Sequence, residues 1–199
     1  MKKIYLMRHG ETRLNVLGLN QGSWDSPLTE LGIEQAKRAK KWFIDENIIF
    51  DSAYSSTKER ACDTLEIITN LKDGEYSRDK RLSEWDFGLY EGQSAKLNPA
   101  PLNPDKGTKS YGKAYVPYGG EADTDVSERM EEAMNDIASS PSEVSLVVSH
   151  GGSIYLWLQR HIEQKIIQEA IPFGNCSIFE LIYDNNTFKL VRIIDPNRE

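Results

Sequence analysis

The 199-residue chain has two cysteines, three histidines and no apolar run near the roughly 20 residues that a membrane-spanning helix needs. Cys62 and Cys176 stand alone, without the paired spacing of a metal site. In a reducing compartment they are expected as core residues rather than as a disulfide. The first apolar stretch, residues 4–7, is too short for a secretory signal. Basic side chains are outnumbered, 24 Lys and Arg against 31 Asp and Glu, for a net charge of −7. That balance disfavours binding to nucleic acid, which runs on phosphate neutralisation. No basic amphipathic segment suggests a membrane surface. Repeats and low-complexity tracts are absent too. What remains is a chain expected to be cytoplasmic, with neither nucleic acid nor membrane as partner. No self-complementary apolar face announces an oligomeric state.

Hydrophobic residues make up 39% of the chain, enough for a core, and the length suits one domain over 1–199. Residues 2–7 read as a buried strand. In "DSPLTELGIEQAKRAKKWF", Thr29 is a helix cap, and Ala36, Ala39 and Phe43 recur at helical spacing. "DSAYSS" reads as a short strand. "STKERACDTLEII" opens with Ser56 and Glu59, three apart as in a capping box, and carries an inner stripe of Ala61, Thr64, Leu65 and Ile68. Residues 120–139 predict another helix with Val126, Met130, Ala133 and Ile137 on one side. "VSLVV" is apolar without alternation, as in a central strand covered on both faces, and a helix follows from about Gly152. "CSIFELIY" and "TFKLVRII" flank Asp184-Asn185-Asn186, a hairpin signal. Strands alternating with helices predict an α/β fold. We expect a three-layer αβα sandwich with a mostly parallel central sheet and an antiparallel edge strand.

One stretch departs from this pattern. Residues 93–118 carry Pro99, Pro101, Pro104 and Pro117, Gly107 and Gly112, and four lysines (Lys96, Lys106, Lys109 and Lys113) against one acid, Asp105. A basic, loop-like insertion in an acidic chain suggests a lid, with Tyr111, Tyr115 and Tyr118 available to cover a substrate. A mobile surface loop is the plainer reading.

The polar residues at strand ends are where chemistry is expected. Arg8, His9 and Gly10 end the first strand, and His150 and Gly151 follow "VSLVV". Arg60 sits near the start of the helix after "DSAYSS". In open α/β sheets, ligands bind at the carboxyl edge of the strands. Two arginines beside a helix N-terminus make a phosphate receptor. A histidine among them could act as nucleophile, since imidazole is available near its ordinary pKa of about 6.5. His161, in "LQRHIEQK", has no such setting and is read as structural.

"LMRHGETRLN" resembles the signature of the histidine phosphatase superfamily, also called phosphoglycerate-mutase-like. "QGSWDSPLTELGIEQA", "SSTKERACDT", "LSEWDFGLYEG", "YGGE" and "VVSHGG" are similar to further segments of that family, in its order. The likeness runs from about residue 4 to 152, and more loosely to Asn175. It implies that His9 attacks a phosphoryl group and becomes phosphohistidine. It implies that Arg8, Arg60 and His150 hold the phosphoryl oxygens with Asn15 assisting, and that Glu84 protonates the leaving oxygen and then activates water. Gln21, Gly22 and Gly151 fall in its substrate-binding segments. Glu121 is a weaker candidate there, and Glu91 is read as structural. The scheme needs no metal and no cofactor, and its partner is a small phosphorylated metabolite.

Within the family the sequence leans toward hydrolysis. Mutases of this type resemble one another in an Arg after the acid and paired arginines in the following tract. Here Trp85 follows Glu84, and residues 93–118 contain no arginine. The expectation is a metal-independent phosphomonoesterase. The alternatives are a cofactor-dependent phosphoglycerate mutase and a non-catalytic phospho-ligand-binding module. Nothing in the sequence selects among sugar phosphates, phosphoglycerates, ribazole phosphate or nucleotide-pathway esters.

Overall fold

A computed structural model describes residues 1–100, 110–162 and 173–198. Its spine is a six-stranded mixed sheet. In chain order the strands are β1 (Lys2–Arg8), β2 (Ser52–Ser55), β3 (Ser77–Arg78), β4 (Val144–Ser149), β5 (Ile178–Asp184) and β6 (Thr187–Ile194). In space they run β3-β2-β4-β1-β5-β6. β1, β2, β3 and β4 pair in parallel, while β5 is antiparallel to both β1 and β6. The expected hairpin therefore supplies the antiparallel side of the sheet. Its two-residue turn is Asn185-Asn186, both at positive φ (49° and 58°). Such a turn matches the strands' twist, and Asn tolerates that backbone better than most residues.

Successive residues of a strand face opposite sides of its sheet, and β1 shows the consequence. Ile4 and Leu6 pack with Val126, Met130, Ile154 and Trp157 from α4 (Asp123–Ser139) and α5 (Gly151–His161). Tyr5 and Met7 pack instead with Ala36, Phe43, Ala61 and Leu65 from α2 (Glu30–Asp45) and α3 (Glu59–Thr69). The result is the expected three layers, with β1 and β4 sealed between them. The short α1 (Arg13–Leu17) lies outside this core and is closed by a Thr12/Asn15 capping box.

Thr29 caps α2 as expected, its Oγ accepting the Gly32 N–H at 3.0 Å. Ser56 does not cap α3. That helix starts at Glu59 with Lys58 at the cap position and no side-chain cap. Ser56 lies two residues too early, and its hydroxyl is drawn instead to a buried histidine. β3 and α1 had no apolar periodicity to reveal them: β3 has two residues, both exposed, and α1 buries none. The middle of the basic insertion, with Pro101, Pro104, Asp105, Lys106, Gly107 and Lys109, lies outside the described residues. On its described flank Tyr115 is fully buried, while Tyr118 is largely exposed.

Strand order decides where the polar residues meet. β4 is inserted between β1 and β2, with Arg8 level with Ser149 and Ser55 level with Val148. His9, Ser56 and His150 each follow a strand end, so three distant segments emerge side by side at one edge.

Candidate active site

His9 is almost wholly buried, 3% exposed. Its backbone is tied on both sides: its N–H donates to Ser149 O (3.1 Å), and its carbonyl accepts from Cys176 N (3.2 Å) and Asn175 Nδ2 (3.1 Å). The ring Nδ1 lies 2.7 Å from Gly10 O. A carbonyl can only accept, so Nδ1 carries the hydrogen and Nε2 keeps its lone pair. Gly10 N–H donates to Thr64 Oγ1 (3.0 Å), whose own hydroxyl donates to Arg60 O (2.7 Å). A side chain at Gly10 would strike the backbone of Gly32, 2.6 Å from its Cβ.

The second imidazole, His150, is fully buried, with its ring centre 5.1 Å from that of His9. Its Nε2 lies 2.7 Å from Ser56 Oγ, and its Nδ1 has no hydrogen-bond partner among the described residues. Arg60, also fully buried, is held by the carbonyls of Gln21 (3.3 Å), Gly22 (3.0 Å) and Trp24 (2.8 Å) and by Asp25 (3.0 Å). Arg8 donates to Phe173 O, and its Nε sits 3.2 Å from where a Gly151 Cβ would stand. The Nε groups of Arg8 and Arg60 are buried without hydrogen-bond partners among the described residues. One edge thus holds three unused buried nitrogens beside an imidazole with a free lone pair, the donor set an incoming phosphoryl group would fill.

Burial lowers the pKa of His9 well below the ordinary imidazole value, and the Arg60 and Arg8 charges add to the effect. His150 is depressed the same way, by burial first and then by Arg60. Both rings are therefore neutral at neutral pH. Cys176, beside His9, is pushed up to about 12 by burial and stays a thiol. Cys62 is buried and free as well.

Glu84 reaches the site from the loop after β3. Its Oε1 accepts from the N–H groups of Ser153 (2.8 Å) and Trp85 (2.9 Å) and shares the Ser153 hydroxyl hydrogen (3.1 Å) with Ser83 O (2.7 Å), while Oε2 accepts from Gly152 N–H (2.9 Å). The carboxylate therefore sits on the amino end of α5, where backbone donors and the helix dipole favour an anion. Oε2, with a single donor, retains a lone pair for a proton. Arg129 fixes the segment that carries Glu84 by donating to the carbonyls of Arg81 (2.8 Å), Ser83 (2.6 Å) and Glu84 (2.9 Å). Glu121 in turn holds Arg129 in a two-pronged pair, 2.9 Å at each contact.

The other expected residues sit around this centre in distinct ways. Asn15 Oδ1 accepts from Thr12 N and Asn175 Nδ2, each at 3.2 Å. The side chain of Gln21 is committed to Thr12 (2.6 Å) and Ser26 (3.1 Å), so it meets Arg60 through its carbonyl. Gly22 does likewise, and a Cβ there would lie 2.0 Å from Trp85 O. Gly151 opens α5 directly after His150. Glu91, 5% exposed, accepts from Gly22, Ser23, Trp24 and Phe87 N–H at 2.9–3.2 Å and so clasps the loop that holds Arg60. His161 pairs with Glu131 (2.6 Å) on α4, at the far end of α5. Sequence reasoning missed Ser56, Asn175 and Arg129 as site residues, because their partners are distant in the chain.

A cavity of about 270 Å³ opens beside this centre, with Arg8, Glu84, Gly151 and Gly152 at one end. A cleft of about 590 Å³ between α2 and α3 is lined by none of the residues above and holds neither histidine nor arginine. Among the described residues, no group of three His, Cys, Asp or Glu is placed to hold a metal ion, and no helix is long and apolar enough to cross a membrane.

Comparison with known proteins agrees with this geometry. The probable phosphoglycerate mutase GpmB of Proteus mirabilis is 32% identical over 195 residues, covering 94% of this chain and 87% of the relative. A putative phosphoserine phosphatase 2 from Hydrogenobacter thermophilus is 31% identical over 156 residues, 78% of this chain and 76% of the relative. The structure of an Entamoeba histolytica phosphoserine phosphatase variant in complex with phosphoserine superposes with a TM-score of 0.77 at 26% identity, covering 99% of this chain and 98% of that one. Residues 4–196 match the family model described as histidine phosphatase superfamily (branch 1). The chain belongs to the histidine phosphatase superfamily.

Proposed function

We propose that the protein is a phosphomonoesterase that hydrolyses a small phosphate ester through a phosphohistidine on His9. One observation carries this reading: the hydrogen bond from His9 Nδ1 to Gly10 O leaves Nε2 its lone pair, on a buried ring beside Arg8, Arg60 and His150 nitrogens that have no hydrogen-bond partner among the described residues. In the first step the Nε2 lone pair forms a bond to phosphorus as the ester P–O bond breaks. Protonated Glu84 delivers its proton from Oε2 to the leaving oxygen, which departs as an alcohol. In the second step water attacks phosphorus and gives a proton to Glu84 as the P–Nε2 bond breaks, which returns the lone pair to His9 and releases inorganic phosphate. Arg8 Nε, Arg60 Nε and His150 Nδ1–H neutralise charge on the equatorial oxygens. Such preorganised donors are each worth about 10²–10³ in rate. The NH₂ of Asn15 is a further donor in this scheme. Gln21 and Gly22 act by holding Arg60, and Glu121 acts by holding Arg129.

A second reading is phosphoryl transfer between positions of glycerate, which the mutase names among the relatives favour. The two are separated by assay. Turnover is measured over a panel of phosphate esters, with and without chelator and with and without 2,3-bisphosphoglycerate. Hydrolysis that ignores chelator, together with an acid-labile, base-stable phosphoryl group on the protein that His9→Ala removes, supports the phosphatase. Isomerisation of phosphoglycerate stimulated by the bisphosphate, with little release of phosphate, replaces it with the mutase.

A further inference from the structure

The 270 Å³ cavity touches the phosphoryl site through Arg8 and Glu84, so it is where the rest of the substrate must lie. Its walls are aromatic. Trp85, Phe87 and Tyr111 form one side, with ring centres of the Trp85 pairs at 6.0 and 5.8 Å. Tyr155 and Phe173 form another, 5.5 Å apart and edge-on to one another. Two polar side chains at the walls are already engaged. The Asn98 amide exchanges hydrogen bonds with that of Asn20, and Glu84 accepts four hydrogen bonds. Among the described lining residues, Arg8 is the one cation, and it lies at the phosphoryl end. A carboxylate or second phosphate on the leaving group would meet no second cation among these described residues and would sit beside Glu84.

A neighbouring cleft of about 470 Å³, also lined by Glu84, holds four cations, and internal contacts use three of them. Arg129 is committed to Glu121 and three carbonyls, Arg81 to Asp79 and Asp136, and Lys58 to Ser23 O. Among the described residues, Lys80 alone is left there to meet an acidic leaving group, as a flexible point charge without a fork. Five aromatic side chains around a small space suit a flat, uncharged ring, which gains dispersion and edge-to-face contacts there.

We infer that the preferred substrates are phosphate monoesters whose leaving group is an uncharged aromatic or heteroaromatic ring, held between Trp85, Phe87 and Tyr111 on one side and Tyr155 and Phe173 on the other. This rests on the phosphomonoesterase reading for turnover but not for binding, so the two can fail separately.

The test compares benzyl phosphate with ethyl phosphate. Both release a primary alcohol of similar acidity, so their difference reports the ring. O-Phosphoserine and 3-phosphoglycerate represent charged leaving groups. We expect kcat/KM for benzyl phosphate to exceed that of each of the other three by about tenfold or more. In Tyr111→Leu and Phe173→Leu, which keep apolar bulk, we expect the benzyl-to-ethyl ratio to fall at least about threefold. The same esters are titrated calorimetrically onto His9→Ala. Tighter binding of benzyl phosphate with no hydrolysis of any ester by the unaltered protein would sink the phosphatase reading and leave the ring pocket standing. Equal benzyl and ethyl values, in turnover and in binding, would overturn the ring pocket, as would a clear preference for phosphoserine or phosphoglycerate.

Discussion

Ser56 Oγ lies 2.7 Å from Nε2 of His150, a contact across 94 residues of chain between the ends of two neighbouring strands. The same oxygen accepts the Lys58 N–H at 3.2 Å. The hydroxyl keeps its own hydrogen and a second lone pair, so it can pair with Nε2 in either tautomer of His150. When the Ser56 hydrogen goes to Nε2, the His150 hydrogen stands on Nδ1, which has no hydrogen-bond partner among the described residues. A serine that looks like a helix cap in the sequence thus holds one of the two buried imidazoles.

Ser56→Ala should therefore lower kcat by about five- to tenfold, the worth of one neutral hydrogen bond, with a smaller change in KM. Ser56→Thr keeps the hydroxyl and should restore most of the loss. A purely structural serine would lower the unfolding midpoint of the alanine variant without altering kcat in the folded fraction. Steady-state kinetics on folded protein separates the two.

Glu84 as proton donor predicts a dependence on the leaving group. Glu84→Gln should reduce kcat for an alkyl phosphate by about 10²–10⁴-fold, the usual range for general acid catalysis. It should cost much less for 4-nitrophenyl phosphate, whose leaving group needs no proton. Gly152→Ala should act in the same direction but more weakly. Its Cβ would stand 2.7 Å from Glu84 Oε1 and push the carboxylate off the end of α5. Equal losses on both substrates would remove Glu84 from the proton-transfer step.

Glu91 supports Arg60 at one remove. Its buried carboxylate accepts four backbone N–H groups, and the loop it clasps supplies three carbonyls to Arg60. Glu91→Ala should cost about 2–4 kcal/mol in urea unfolding, since it strands buried donors. In the protein that remains folded, KM and the inhibition constant for inorganic phosphate should rise. An unchanged phosphate affinity would show that Arg60 needs no such clasp.

The buried imidazoles predict how stability varies with pH. His9 and His150 have folded pKa values lowered below the unfolded value of about 6.5. Below that pH the unfolded chain binds protons that the folded chain refuses, so stability falls with falling pH. Their contribution is complete above about pH 6.5 and is lost progressively as the pH drops toward the depressed values. Urea midpoints measured from pH 7.5 to pH 5 should decline less steeply in His150→Gln than in the unaltered protein. Parallel declines would mean that His150 titrates normally.

Much of the fold was legible in the chain because the signals are local. The apolar run of β4, the Thr29 cap, the helical stripe over 36–43 and the Asn185-Asn186 turn each speak through neighbours a few residues apart. His9, Arg60, Glu84 and His150 were legible for a different reason: short motifs carry them, and the family likeness supplies their roles. The sequence could not show what holds them. Arg129 grips the Glu84 loop from 45 residues away, and Asn175 reaches the His9 carbonyl across 166.

By itself the amino-acid sequence determined the longer strands and helices, all but β3 and α1, since hydrophobic periodicity is a property of neighbouring residues. It also determined which residue types stand at the strand ends. Only the tertiary structure decided that β4 enters between β1 and β2, and hence that two imidazoles meet with their ring centres 5.1 Å apart. It alone decided that Ser56 serves His150 rather than α3, and that an aromatic pocket lies beyond Glu84. The physical reason is the same in each case: these contacts form between groups far apart in the chain, and burial in a shared core, not local backbone preference, brings them together.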